Sequence, residues 1–169
     1  MGATYADIDK ATVQTKYPFH NETGTHIIVM EDWIGRETRQ QGFADFCNWT
    51  VVKTLHGDAS GVGAKRSRMR IWSRDGTASE LKQRAQAALS AAGQASKPGF
   101  EFPVAAVTGE ILKNIHEQAG RNIAGYPIKI QVDQVETKAK KEFTSIIYSV
   151  PTAADLEGIK IDAQGRVVG

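Results

Sequence analysis

The sequence predicts a mainly β fold in which a helical insertion separates a third strand from a fourth. Three observations carry that prediction. Two β-branched and aromatic runs, residues 25–34 and 43–55, flank a polar stretch ending in Gly42, the pattern of a long hairpin. Residues 126–135 alternate Ile128, Ile130 and Val132 with Lys129, Gln131 and Asp133, and a charged turn leads from them into the apolar run 143–151. Between the two hairpins, Leu81, Ala85, Ala88, Leu89 and Ala92 recur at helical spacing.

Residues 1–23 mix polar and aromatic side chains with a Tyr17-Pro18 step, which biases Tyr17 toward extended backbone, and are expected to form an arm lying on the domain. The first strand starts from Gly24, and residues 36–42 form the turn. The returning strand is apolar at both parities, as a strongly bent strand or one covered on both sides would be. Gly57, Gly61 and Gly63 make residues 56–64 a loop. Its Gly61-Val62-Gly63-Ala64-Lys65 lacks the spacing of a phosphate-binding P-loop and the helix that should follow one. A third strand is expected over 65–74. Thr77 and Glu80 then have the spacing of a capping box, Gly93 is placed to end that helix, and residues 94–106 read as a connector. A second helix from Thr108 places Ile111, Leu112, Ile115 and Ala119 on one face and ends at Gly120. Residues 152–169 have no strong periodicity beyond Ile159 and Ile161 and read as a tail.

A chain of 169 residues suffices for one domain with a sizeable core, and 41% hydrophobic with 24% charged residues is ordinary for a globular protein. A net charge of +2 is too small to argue for a nucleic-acid partner, so only the placement of charge carries weight. The single cysteine, Cys47, excludes an intrachain disulfide and a multi-cysteine metal site. No run of 18 apolar residues spans a bilayer and no apolar signal segment opens the chain, so a cytoplasmic location without a membrane partner is expected. Asp32, Asp45, Asp58, Asp75 and Asp133 are scattered, and HxH, CxxC and HExxH are absent, so no metal, other cofactor or catalysis is expected.

Charge is concentrated in residues 65–74, which hold five of the 21 basic residues and no acid. On a strand, Arg66, Arg68, Arg70, Trp72 and Arg74 share one face, leaving Met69 and Ile71 to point into a core. Crowded guanidiniums repel one another and call for anions, which the protein, salt or a ligand can supply. One reading is a surface for a phosphate backbone with exposed bases. The other is a half-buried strand whose wet face happens to be basic.

Three strands, a helical insertion and a closing hairpin is the element order of a five-stranded OB-type barrel, with one or two helices between strands 3 and 4. The first hairpin from Gly24 to Leu55, the arginine strand, and Ile123 to Ile130 followed by Lys138 to Tyr148 together resemble phage-encoded OB-fold single-stranded-DNA-binding proteins. The resemblance is one of pattern over residues 24–150, between the arm and the tail. It implies non-specific binding of single-stranded DNA in DNA replication, recombination or repair, in the cytoplasm of a bacteriophage-infected host, with replication or recombination proteins as further partners. The closing residues, Asp162 to Gly169, depart from the acidic tail of bacterial members.

In OB folds the face of strands 2 and 3, with the loops joining strands 1–2 and 4–5, binds oligonucleotides. The positions expected to converge on one groove are Lys65, Arg66, Arg68, Arg70, Trp72 and Arg74, with Arg36 and Arg39, and with Lys138, Lys140 and Lys141. Trp72 is the leading base-stacking candidate, and Trp33, Phe43 and Trp49 are weaker ones because strand aromatics are usually core. An OB-like barrel serving as a protein-interaction or virion-assembly module is the alternative. A homodimer is compatible with either reading.

Overall fold

A computed structural model of the chain describes residues 17–38, 42–72, 75–136 and 142–168. The strands are β1 (Gly24–Thr38), β2 (Gly42–Gly57), β3 (Lys65–Trp72), β4 (Pro127–Glu136) and β5 (Glu142–Ser149). Two α-helices, α1 (Asp75–Gln94) and α2 (Gly109–Glu117), lie between β3 and β4 in the chain. All the pairings are antiparallel, and the strands form one open sheet in the order β3-β2-β1-β4-β5.

β1 pairs with β2 along its whole length and with β4 over Gly24–Val29. Three register shifts interrupt the β1–β2 ladder, at Thr25/His26, Ile27/Ile28 and Met30/Asp32. Such irregularities bend a strand and break its strict alternation, so the sequence neighbours Ile27 and Ile28 are both fully buried. Where β1 begins and β2 ends, Gly24 and Gly57 both have positive φ, and a Cβ on either would run into the other strand's backbone.

The main core joins Ile28, Met30, Trp49, Ile128, Ile130 and Ile146 to Leu81, Ala85 and Ala88 of α1 and Leu112 and Ile115 of α2. Alanines on α1 let it approach the sheet closely. Each fully buried Ile or Leu contributes about 1.5–3 kcal/mol relative to exposure, so this shared core holds helices and sheet together. Helix α2 starts as its sequence dictates, with the Thr108 hydroxyl accepting from the Ile111 amide. Helix α1 starts at Asp75, so Thr77 and Glu80 lie inside it rather than at its cap. Their side chains instead meet arginines of β3. Gly93 lies inside α1, because a Cβ there would strike the Phe100 ring.

The segment expected as a tail is built onto the sheet. Lys53 and Lys129, the cross-strand partners of Ile27, reach out to it: Lys53 Nζ donates to the carbonyls of Asp155 (3.1 Å) and Glu157 (2.8 Å), and Lys129 pairs with the Asp155 carboxylate (3.1 Å). A bridge between Ile161 and Val167 folds the end back, and the Val167 amide donates to the Gly125 carbonyl. At the other end, residues 17–22 form a strap along the outer edge of β3. The Ser67 amide donates to the Pro18 carbonyl, and the His20 amide donates to the Ser67 carbonyl.

Candidate functional site

Cross-strand partners share a sheet face, so register fixes which side of β3 each residue occupies. Arg66, Arg68 and Arg70 stand opposite Trp49, Cys47 and Asp45, three fully buried residues of β2. Ser67 and Met69 stand opposite Asn48 and Phe46, on the other side. The strand is therefore as expected and its faces are reversed: the guanidiniums lie on the side that the core and α1 occupy. The acids that the arginines call for come from the protein itself.

Arg66 forms a two-pronged pair with Glu22 of the strap, its Nε 2.8 Å from Oε1, and this hydrogen bond holds the Glu22 carboxyl down to about 2. Arg68 makes a bidentate pair with Glu80 of α1, through Nε to Oε2 at 3.0 Å and Nη2 to Oε1 at 2.6 Å. Its Nη2 also donates to the Thr144 carbonyl of β5 at 3.0 Å. Arg70 is held less completely. Its Nη2 donates to the Thr77 hydroxyl at 3.2 Å, while its buried Nε lies 3.5 Å from Glu80 Oε1 without hydrogen-bond geometry and has no acceptor.

Behind Glu80 lies a buried ionic cluster. Arg84, with no exposed side-chain surface, places Nη1 2.6 Å from Asp45 Oδ1 and Nη2 3.3 Å from Glu80 Oε2, and stacks over the Trp33 and Tyr148 rings at 4.8 and 5.1 Å. Asp45 also accepts from the Trp33 indole and from His116 Nε2, the latter at 2.9 Å. Burial would raise the Asp45 carboxyl, but the Arg84 charge and these donors outweigh it and hold it below its ordinary value. Glu80 is likewise depressed, its burial outweighed by the Arg68 hydrogen bonds and the Arg84 charge. Arg68, Arg70 and Arg84 thus share Asp45 and Glu80, which leaves positive charge in excess among these described residues.

That excess surfaces at a cleft of about 210 Å3 between the edges of β3 and β5, whose lining includes Phe19, Asn21, Arg68, Arg70, Phe143 and Thr144. Drug-sized sites run to roughly 300–1,000 Å3, so this notch has room for one planar ring or one small group. Phe19 and Phe143 are 45% and 46% exposed, unusual for phenyl rings and available for stacking. The strap beside the cleft is fixed from within. His20 Nδ1 accepts from the Trp49 indole at 3.1 Å, and its Nε2 donates to the Glu22 carbonyl at 3.1 Å. Burial and the neighbouring His26 hold its pKa down to about 4.

Among the other expected site residues, Arg36 is exposed on β1, and Lys65 pairs with Glu31 at 2.7 Å. Trp33 is fully buried with its indole bound to Asp45, which corrects its assignment as a base-stacking residue; Trp49 is equally buried. Arg39, Arg74, Lys138, Lys140, Lys141 and the side chains of Trp72 and Phe43 lie outside the described residues. The stem of the lysine turn is described, and its Phe143 and Thr144 line the same cleft as Arg70. Sequence reasoning missed Phe19, Phe143, Glu22, Glu80 and Arg84. Of these Arg84 alone left a clear signal, since it sits three residues after Leu81 on the apolar stripe of α1.

The sequence matches no protein-family model and no curated protein. Among the described residues no helix is long and apolar enough to cross a membrane, and no group of His, Cys, Asp and Glu side chains is arranged to hold a metal ion.

Proposed function

We propose that the protein binds single-stranded DNA without sequence preference, as an OB-type barrel left open between its third and fifth strands. The observation that carries this reading is the cleft where β3 meets the stem of the lysine-rich turn: two half-exposed phenyl rings line it together with a guanidinium from a cluster with surplus positive charge. Unpaired bases offer ring faces to the phenyls, and the phosphates between them supply the missing anion. A duplex keeps its ring faces stacked inside and gives the cleft nothing to hold but charge. The strand order, with the helices between β3 and β4, is compatible with the OB connectivity, in which the strand 2–3 face and the loops 1–2 and 4–5 form the binding side. On this reading the protein acts in the cytoplasm, in DNA replication, recombination or repair.

Fluorescence anisotropy with labelled oligo-dT and with duplex of equal length, each over a salt series, tests the proposal. Preference for the single strand is expected, with log affinity falling against log salt by about 0.7 per phosphate contact. Equal or absent binding of the two at low salt would remove it. The second reading, a protein-interaction module, is favoured by Val135 and Ile147, which are exposed and apolar on the β4–β5 hairpin. Under that reading neither oligonucleotide is retained.

A further inference from the structure

We propose that Arg70, alone among Arg66, Arg68 and Arg70, gives its charge to a phosphate of the bound strand, and that Phe143 stacks the adjoining base. This rests on the single-strand reading above and deepens it to a division of labour along one strand face.

The division follows from how fully each guanidinium is already used. Arg66 is matched by Glu22 in a two-pronged pair, and its side chain is 17% exposed. Arg68 fills both oxygens of Glu80, reaches the Thr144 carbonyl with the same Nη2, and is 11% exposed. Bidentate pairs of this kind are the strong form of the interaction, and a phosphate gains little by displacing one. Arg70 is the most exposed of the three, at 28%. Its nominal partner Glu80 already receives Arg68, Arg84 and the Tyr148 hydroxyl, and its Nε faces no acceptor. An orphaned charged donor costs free energy, and because this Nε is itself buried an arriving oxyanion recovers that cost by turning the guanidinium toward the cleft.

Position completes the argument. Arg70 and Phe143 line the same cleft, one from β3 and one from β5, so a phosphate on the guanidinium puts its own base within reach of the ring. Phe19 lines it from the strap. Arg68 lines it too but is already engaged by Glu80 and the Thr144 carbonyl, and Arg66, four residues back along the same face, does not line it.

The test uses the full chain and labelled oligo-dT in anisotropy salt titrations, with thermal melting of each variant. Arg70→Gln is expected to reduce the salt slope by about 0.7, one phosphate, at an unchanged melting temperature. Arg66→Gln removes the same unit of charge, and is expected to lower the melting temperature and leave the slope at the wild-type value. Phe143→Ala is expected to weaken oligo-dT binding about fivefold or more at unchanged slope, and to leave binding of an abasic oligonucleotide of equal length untouched. A wild-type slope in Arg70→Gln overturns the inference while the single-strand reading stands. So does an equal drop in Arg66→Gln, which would mean diffuse charge rather than a contact. Wild-type protein that ignores oligo-dT at low salt removes both.

Discussion

Two of the buried polar networks among the described residues are made of opposite materials. Around Arg84, full charges face one another: Asp45 and Glu80 against guanidiniums, with Trp33 and Tyr148 rings filling the gaps. Around His20, rings and a carbonyl take their place: the Trp49 indole donates to one imidazole nitrogen, and the Glu22 carbonyl accepts from His20 and His26. The carboxyls of the first network are held low and stay ionised in mild acid. The second is vulnerable there, because a proton on His20 Nδ1 would confront the indole N–H. The comparison separates what each does: charges fasten α1 to the sheet, and the strap is fastened by buried rings together with the Arg66–Glu22 pair.

The largest effect is expected from Arg84→Met, which strands Asp45 in the interior. Losing one partner of a buried pair typically costs about 3–5 kcal/mol, to be read by urea denaturation. A loss within about 1 kcal/mol would mean that Trp33 and His116 satisfy Asp45 without the guanidinium.

Acid should come next. His20 has a folded pKa below its ordinary 6.5, so the unfolded chain takes up the proton first and stability drains as pH falls from 6.5 toward 4. The depression corresponds to a loss on the order of 3 kcal/mol, with no further contribution below pH 4. Glu22, depressed by the Arg66 hydrogen bonds, acts lower: its contribution is complete above 4.5 and is lost as pH falls toward 2. Both groups hold the strap, so their losses merge rather than add. Denaturation midpoints that stay flat from pH 7 to 4 would sink the neutral-ring account.

Trp49→Phe sharpens the same comparison at smaller cost. It removes the donor to His20 Nδ1 and keeps most of the ring, for about 1–3 kcal/mol. It should also raise the His20 pKa, moving acid sensitivity upward; an acid profile identical to wild type would show that the indole bond is not what keeps His20 neutral. At the bottom of the scale, Lys65→Ala breaks a surface pair with Glu31 and a contact with the Tyr17 ring, and should leave the denaturation midpoint nearly unchanged.

The strands and helices were legible because alternation and helical spacing persist over long runs, as at Ile128, Ile130 and Val132. Which face of β3 turns inward was not. Alternation separates two sets of side chains without saying which is buried, and Met69 with Ile71 looked like the inward set. The decisive partners were remote. Glu22 lies 44 residues before Arg66, and Glu80 carried a competing local explanation as a helix cap. Trp33 shows the same limit: a large strand aromatic is core or platform according to what its indole can bond, and Asp45 was a residue of no evident role until β1 and β2 were paired. Phe143 was readable only as a strand residue, because its exposure depends on the unpaired edge beside it.

That unpaired edge has a mechanical consequence. Among the described residues, the margins of the sheet meet through one direct hydrogen bond, Arg68 to the Thr144 carbonyl. Prising the hairpin β4–β5 away from β3 breaks that charge-assisted contact, about 1.5–3 kcal/mol, rather than a row of backbone bonds, and it also pulls on α1, whose Glu80 takes Arg68 from β3 and the Tyr148 hydroxyl from β5. The spacing of these two edges is therefore set by side chains, Glu80 foremost, and not by a backbone ladder.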